Sequence, residues 1–428
     1  MFLVSRGRLE KAKIRLYRGR MFQRLLPILV LGLLSGSAQA TTQNAEVLRK
    51  GGVNDGDTII VRLNGRTEVI RFLGVQAFEL STYNNNDPTR WRGECHSVPA
   101  ARFVLRTIKR AGYRVRLSSP APRTDTRGRL IRQVDVRLDG RWRDLEQMLL
   151  RRGLVMWLHH VAEAGLNRRY SLAQQTAAAK GVGIFRSSAC GAGPRQDASF
   201  ELRIMSDPIG EDTDRNGEWV RITNTGAQAV SLGGWSLGNA GPKAERFRFP
   251  AGAGIAAGGS VTVFNGAGTT GVTAFYRDLD HNLFENSDNG NGAGDGAYLL
   301  DPDGDVRAHT VYPCLLACSD PNQGALQVRA NPIRGPEYVL IRNVSDHPVD
   351  LHRYQLRIKG AYPFGPESVL APGEAMQVFV KGDPSEDTRL VRHIGYDGAY
   401  MNDGGGSARV ATYDEIDLAC DAWGSGRC

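Results

Sequence analysis

Arg71 opens the short stretch RFLGVQAFEL at 71–80, Glu79 stands just past the end of its apolar run, and Gln76 lies between them. Upstream, Asp55-Gly56-Asp57-Thr58 places two carboxylates at a tight turn leading into a strand. Downstream, RTDTRGRL at 123–130 adds an arginine-rich hairpin with Thr126, Arg127 and Arg129. These are the residue types that hydrolysis of a phosphodiester demands. Charge on a pentacoordinate phosphate must be neutralised, a water must be activated, and a cation helps with both. A guanidinium is planar, permanently charged and bidentate to phosphate oxygens. A carboxylate can act as general base, and an oxygen-rich pocket can hold Ca²⁺. Taken singly, Arg71 and Glu79 would make an ordinary surface ion pair, which is worth little. Only convergence of the three segments makes a site.

Convergence needs a frame. Residues 46–186 alternate strand and helix signals. VLRKGG, TIIVRL and TEVIRFLGVQ read as strands, with NDGD and NG as turns. SVPAARFVLRTIKRAG reads as an amphipathic helix ending at Gly112. RVRLSS and LIRQVDVRL follow as strands, then a DG turn. RWRDLEQMLLRRG and NRRYSLAQQTAAAKG read as two more helices, each closed by glycine. This pattern predicts a small barrel flanked by helices. CGAGPRQDA, from Cys190, has linker composition. From 200 onward helical periodicity is nearly absent. Short alternating strands such as EWVRITN, VSLGGWSL and SVTVFN recur between turns, the pattern of a β-sandwich. EWVRITNTGAQAVSLGGWSL at 218–237 then aligns with EYVLIRNVSDHPVDLHRYQL at 337–356, which predicts two homologous domains in tandem.

The chain of 428 residues is too long for one ordinary core, and its 41% hydrophobic and 23% charged content is that of a globular protein. Residues 41–190 hold 26 Lys/Arg against 13 Asp/Glu, a net +13, whereas 191–428 hold 20 against 31, a net −11. A strongly basic first domain is the footprint of a polyanionic partner. At the N-terminus several arginines precede LLPILVLGLL, and SAQA offers an Ala-x-Ala cleavage site after Ala40. Met21 opens a leader of more usual length. Residues 1–40 therefore read as a signal peptide, and the mature chain is expected to be secreted. Six cysteines, at 95, 190, 314, 318, 420 and 428, fit an oxidising compartment. Their spacing favours the pairs 95–190, 314–318 and 420–428. The C-x3-C pair lacks the second pair or nearby histidine that a tetrahedral metal set requires.

DGDTIIV, VIRFLGVQAFEL, RTDTRGRL and LLRRGLV occur in the order that characterises staphylococcal-nuclease-like (thermonuclease) domains, and the chain resembles that family over about residues 46–190. The resemblance implies an OB-fold barrel with helices, an α+β unit. Carried over residue by residue, it makes Arg71 and Arg129 the pair that stabilises the phosphorane and Glu79 the general base. Asp57 falls on a Ca²⁺-ligating carboxylate, Gln76 on the second metal carboxylate, and Ala77 on a position whose carbonyl binds the ion. Thr126 and Arg127 fall where phosphate is held, and His159 falls near an aromatic position lining the substrate pocket. Phe78 replaces the family's usual proline. An amide at 76 brings no charge, so weaker Ca²⁺ affinity is expected, since affinity tracks ligand charge.

GEWVRITNTGAQAVSLGGWSL, FPAGAGIAAGGSVTVF and DGAYLLDPDGDVRAHTVYP resemble lamin-tail domains, an immunoglobulin-like sandwich family. The first copy spans 200–318. The second, more divergent one spans 325–428, with Arg353-Tyr354 in place of Gly234-Trp235. The loops EDTDRNGE and ENSDNGNGAGDG are candidate Ca²⁺ loops that read better as polar turns. The expectation is thus a multidomain, mainly β, secreted phosphodiester hydrolase of DNA or RNA. Ca²⁺ or another divalent cation would assist it. The sandwiches would be accessory modules for a cell surface or extracellular polymer. The rival readings are a non-catalytic nucleic-acid-binding OB module and an adhesion or matrix protein.

Overall fold

Five strands close on themselves at the start of the described chain: β1 (Thr41–Val47), β2 (Thr58–Leu63), β3 (Arg66–Phe72), β4 (Arg114–Ser119) and β5 (Leu130–Leu138). β1 pairs antiparallel with β2 and β4, β2 with β3, and β4 with β5. The barrel closes where β5 meets β3 in parallel, with Arg71 opposite Ile131. That closure matters most for function, because it lays the hairpin before β5 over the end of β3. The computed structural model describes residues 41–82, 91–119, 123–159, 164–186, 198–210, 214–241, 245–287, 294–333 and 335–428. The expected leader, Cys190 with most of its linker, and parts of both acidic loops lie outside the described residues.

Alternation along the strands buries Ile59, Val61, Ile70, Val115, Leu117, Val134 and Val136 in the barrel. Helix α1 (Ser97–Arg110) packs Ala100, Val104 and Ile108 against them, and α3 (Ala164–Ala179) adds Tyr170 and Ala173. Three elements differ from the sequence reading. TEVIRFLGVQ is not one strand: β3 ends at Phe72, and Val75–Gln76 pairs separately with Met156–Trp157. The first strand begins at Thr41, and Lys50 and Gly51 form a turn, because register with β4 runs back to Thr41 opposite Ser119. The segment RWRD is strand, not helix. Asp139 and Gly140 both adopt left-handed backbone (φ 51° and 76°), a tight hairpin geometry that folds Arg141–Asp144 back on β5. Helix α2 (Leu145–Leu150) starts only afterwards, where the Asp144 carboxylate accepts the Gln147 N–H at 2.7 Å as an N-cap.

The two later segments share one topology. In the first, a four-stranded sheet runs Phe200–Met205, Trp219–Asn224, Ser260–Phe264, Ala274–Tyr276, and a second runs Phe247–Arg248, Ser236–Gly238, Gly296–Leu300, Val306–Val311. Residues from 326 repeat this order strand for strand, including the parallel last pair of the first sheet. Buried Asn224 and Asn343 occupy matching positions and donate to carbonyls of the facing loops, Gln228 and His347. Tyr354 fills the core place held by Trp235, with its hydroxyl donating to Asp320 at 2.9 Å. Disulfides join Cys314 to Cys318 and Cys420 to Cys428. Cys95 is also disulfide-bonded. Glu218, in one proposed Ca²⁺ loop, instead accepts the backbone N–H groups of Leu283 and Phe284 at 2.8 Å each. Among the described residues no helix is long and apolar enough to cross a membrane.

Residues 40–428 form one compact unit. Phe78, Met156 and Ile184 of the barrel share a buried cluster with Ala240, Tyr298, Leu300 and Val306 of the first sandwich. The His96 Nε2 lies 2.9 Å from Asp305, and Gln174 donates to the Tyr298 hydroxyl at 2.7 Å across the same seam. His309 sits there too, its ring 4.5 Å from that of Phe185. Burial holds its imidazole down at about 4. The unfolded chain takes up that proton near the ordinary value of 6.5, so native stability is lost as pH falls from there towards 4. The loss from this group is up to about 3 kcal/mol. His309→Gln should flatten that part of a melting-temperature profile against pH, compared with the parent.

Candidate active site

The three chemistry-bearing segments meet in one cleft of about 560 Å³, lined by Asp55, Asp57, Arg71, Gln76, Glu79 and the hairpin residues 125–127 and 129. The turn before β2 builds its floor. The Asp57 N–H donates to Asp55 Oδ1 at 2.9 Å, and the Thr58 hydroxyl donates to Asp57 Oδ1 at 2.9 Å. Gly56 is obligatory here, since a Cβ would lie 2.6 Å from that of Ala100 and 2.8 Å from that of Ala77. The other Asp57 oxygen accepts the Ala77 N–H at 2.6 Å and lies 3.3 Å from Arg71. Asp57 therefore ties the start of β2 to the segment that follows β3.

Arg71 comes off the end of β3 with its side chain almost wholly buried. Its guanidinium donates to the Phe72 carbonyl at 2.9 Å and to Gln76 Oε1 at 2.8 Å. Arg129 comes from the hairpin facing it. Asp125 organises that hairpin, accepting the backbone N–H groups of Arg127 and Arg129 and the Arg129 Nε at 2.6 Å. Gly128 supplies the left-handed turn residue (φ 77°). The Arg129 Nη1 lies 3.4 Å from the Thr58 hydroxyl, so the two arginines flank Asp57 and Thr58.

Glu79 is fixed through its main chain: its N–H donates to the Glu94 carboxylate at 3.0 Å, and its carbonyl accepts the Glu94 N–H at 3.0 Å. The residue as a whole is exposed, its carboxyl group is partly desolvated, and among the described residues that group has no hydrogen-bond or ion-pair partner. Arg71 pairs with Asp57 and Gln76, so the simple Arg71–Glu79 ion pair does not form. Desolvation raises the Glu79 carboxyl, and the negative charges of Asp57 and Glu94 raise it further. Burial beside Asp57 likewise pushes Asp55 up to about 8.

A divalent cation fits only part of the expected ligand set. Two carboxylates, Asp55 and Asp57, stand together, with burial first and the charge of Asp57 second raising Asp55. Gln76 and Ala77 depart from the expectation. The Gln76 amide oxygen is turned to Arg71, and its Nε2 donates to the Ala77 carbonyl at 3.0 Å. Both oxygens that would ligate a cation are thus engaged by N–H donors. The Asp55 and Asp57 oxygens also accept hydrogen bonds, from the Asp57 N–H, the Thr58 hydroxyl and the Ala77 N–H, but they are the charged donors a metal would compete for first.

His159 is also placed elsewhere. It faces a separate polar cavity at the seam with the first sandwich, where its Nδ1 lies 3.8 Å from Glu285. Its neighbour Leu158 lines both cavities. Thr126 and Arg127 do reach the cleft. Sequence reasoning missed Asp125 and Glu94. The first had a signal, the D-x-x-G turn inside RTDTRGRL. The second had none, because its contact with Glu79 crosses fifteen residues of chain.

With this geometry in view, the model of the Lamin Tail Domain family matches residues 202–313. That match agrees with the reading of the first sandwich. No curated protein matches the chain.

Proposed function

We propose that this protein is an exported nuclease that hydrolyses phosphodiester bonds of DNA or RNA in the cleft between β2, β3 and the hairpin before β5. The observation that carries this reading is the meeting around Asp57 of Arg71, Arg129 and Glu79, whose carboxylate has no partner among the described residues. Two guanidiniums from facing walls suit a phosphate that gains charge as it becomes pentacoordinate. Glu79 is free to take a proton from water, and its raised affinity for protons makes it a better base than an ordinary surface carboxylate. The basic barrel draws the polyanion in. Ca²⁺ or a similar cation held by Asp55 and Asp57 would add positive charge at the scissile phosphate. The sandwiches, both of lamin-tail type on this reading, would present the barrel to a cell surface or an extracellular polymer.

The engagement of Gln76 and Ala77 by hydrogen bonds favours a second reading, a nucleic-acid-binding barrel without turnover. The two readings separate in one assay. Wild-type protein and Arg71→Ala are incubated with plasmid DNA and with RNA in Ca²⁺, Mg²⁺ or Mn²⁺. The nuclease reading expects cleavage by wild type, lost in the variant. Salt-dependent binding with no cleavage under any metal would establish the second reading.

A further inference from the structure

A second basic groove, sharing no residue with this cleft, lies on the first sheet of the first sandwich where His352 of the second sandwich meets it. Arg203 and Arg221 are direct register partners on neighbouring antiparallel strands. Like charges opposed across a ladder destabilise a sheet unless something neutralises them. Arg203 has a partner: its Nε donates to Glu201 at 2.9 Å. Among the described residues no carboxylate pairs with Arg221. Its Nε reaches the Thr262 hydroxyl at 3.4 Å, its Nη1 lies 3.2 Å from His352 Nε2, and its guanidinium stacks 5.0 Å over the Trp219 ring.

His352 comes from the second sandwich and cannot supply negative charge. Its Nδ1 donates to the Phe364 carbonyl at 2.9 Å, which leaves Nε2 as a neutral acceptor for Arg221. The Arg203 Nη1 reaches the backbone carbonyl of the same residue at 3.4 Å. Around these groups opens a groove of about 520 Å³ whose remaining polar lining is hydroxyl: Thr223, Ser260, Thr262 and Thr273. Among the described residues no acidic side chain lines it, although Glu201 pairs with Arg203.

Two guanidiniums, one of them shared with Glu201, offer N–H donors to an oxyanion, and the hydroxyls beside them can turn towards it, Thr223 and Ser260 by giving up their mutual 2.8 Å contact. We propose that this groove binds a tetrahedral oxyanion, a phosphate or sulfate group, held by Arg221 and Arg203 and completed by the hydroxyls of the first sheet. Because His352 closes one wall, the bound anion would also fasten the two sandwiches together. The site is independent of the cleft assigned above to phosphodiester cleavage, and stands or falls separately.

The test uses the full chain with inorganic phosphate and inorganic sulfate, against chloride at matched ionic strength. The His352 ring resonances report on the groove directly, and the melting temperature reports binding to the native state. The expected result is a saturable His352 shift and a rise in melting temperature. Both should be retained in Arg71→Ala and weakened at least about tenfold in apparent affinity in Arg221→Gln. Phosphate without sulfate, or the reverse, would identify the group preferred. Arg203→Gln serves as the second variant if Arg221→Gln fails to fold. A response that disappears in Arg71→Ala and survives in Arg221→Gln or Arg203→Gln would place the anion in the cleft and overturn the proposal. So would a His352 signal that does not move with either anion.

Discussion

Glu79→Gln is expected to lower the turnover of plasmid DNA by about 10²–10⁴-fold, the usual contribution of a positioned general base, with little change in DNA affinity. The substitution is nearly isosteric and leaves the fold alone. Glu79 is held in place by its own main-chain groups, bonded to Glu94, and among the described residues its carboxylate makes no hydrogen bond that an amide would have to replace. Removing one negative charge from the cleft weakens no contact to phosphate. The pH profile gives a sharper check. A base works only when deprotonated, and desolvation, Asp57 and Glu94 all raise this carboxyl above its ordinary value. The rate should therefore fall on the acid side at a pH above that of a free glutamate. That limb should vanish in Glu79→Gln, whose residual rate should be flat there. Arg129→Ala is the contrast: it should weaken transition-state binding at every pH, since a guanidinium does not titrate in that range. An unchanged rate in Glu79→Gln would remove Glu79 from the chemistry.

Most of the cleft's parts were legible because their signals are local. Asp55-Gly56-Asp57, Arg71 and the Arg129 hairpin each sit at a turn or strand end that short sequence motifs specify. Barrel closure then brings them together, and the order of strand signals already implied a barrel. The two residues whose partners differ from the expectation do so for different reasons, one local and one distant in the chain. Gln76 could have offered its oxygen to a cation; the nearby Arg71 guanidinium takes it instead, and the amide hydrogens then close off Ala77. His159 could have lined the cleft; Glu285, more than a hundred residues later, faces it in a different cavity. The tandem repeat was visible in aligned strands, and the strand orders agree throughout. Packing of the first sandwich on the barrel was not visible, because a buried face that meets another domain reads in sequence like any other apolar residue.

Phe78 is where that hidden packing reaches the cleft, and Phe78→Ala is expected to cost about 3–5 kcal/mol of stability, as for other fully buried aromatic truncations. Its side chain is 1% exposed and belongs to the cluster shared with Tyr298 and Leu300. Its chain neighbours are Ala77, whose N–H holds Asp57, and Glu79. Loss of the ring should loosen both, so cleavage should fall as well as melting temperature. The matching change on the other side is Leu300→Ala, expected to cost about 2–5 kcal/mol. If the sandwich were a detachable module, Leu300→Ala would lower a separate melting transition and leave cleavage untouched. The shared cluster, the His96–Asp305 pair and the Gln174–Tyr298 hydrogen bond argue for one cooperative unit instead. One transition, shifted by either substitution, is expected. A double-mutant cycle should show a coupling of at least about 0.5 kcal/mol, above what distant independent sites give. On that result the sandwich would be a wall of the active-site frame, and a targeting role would have to operate through its remaining faces.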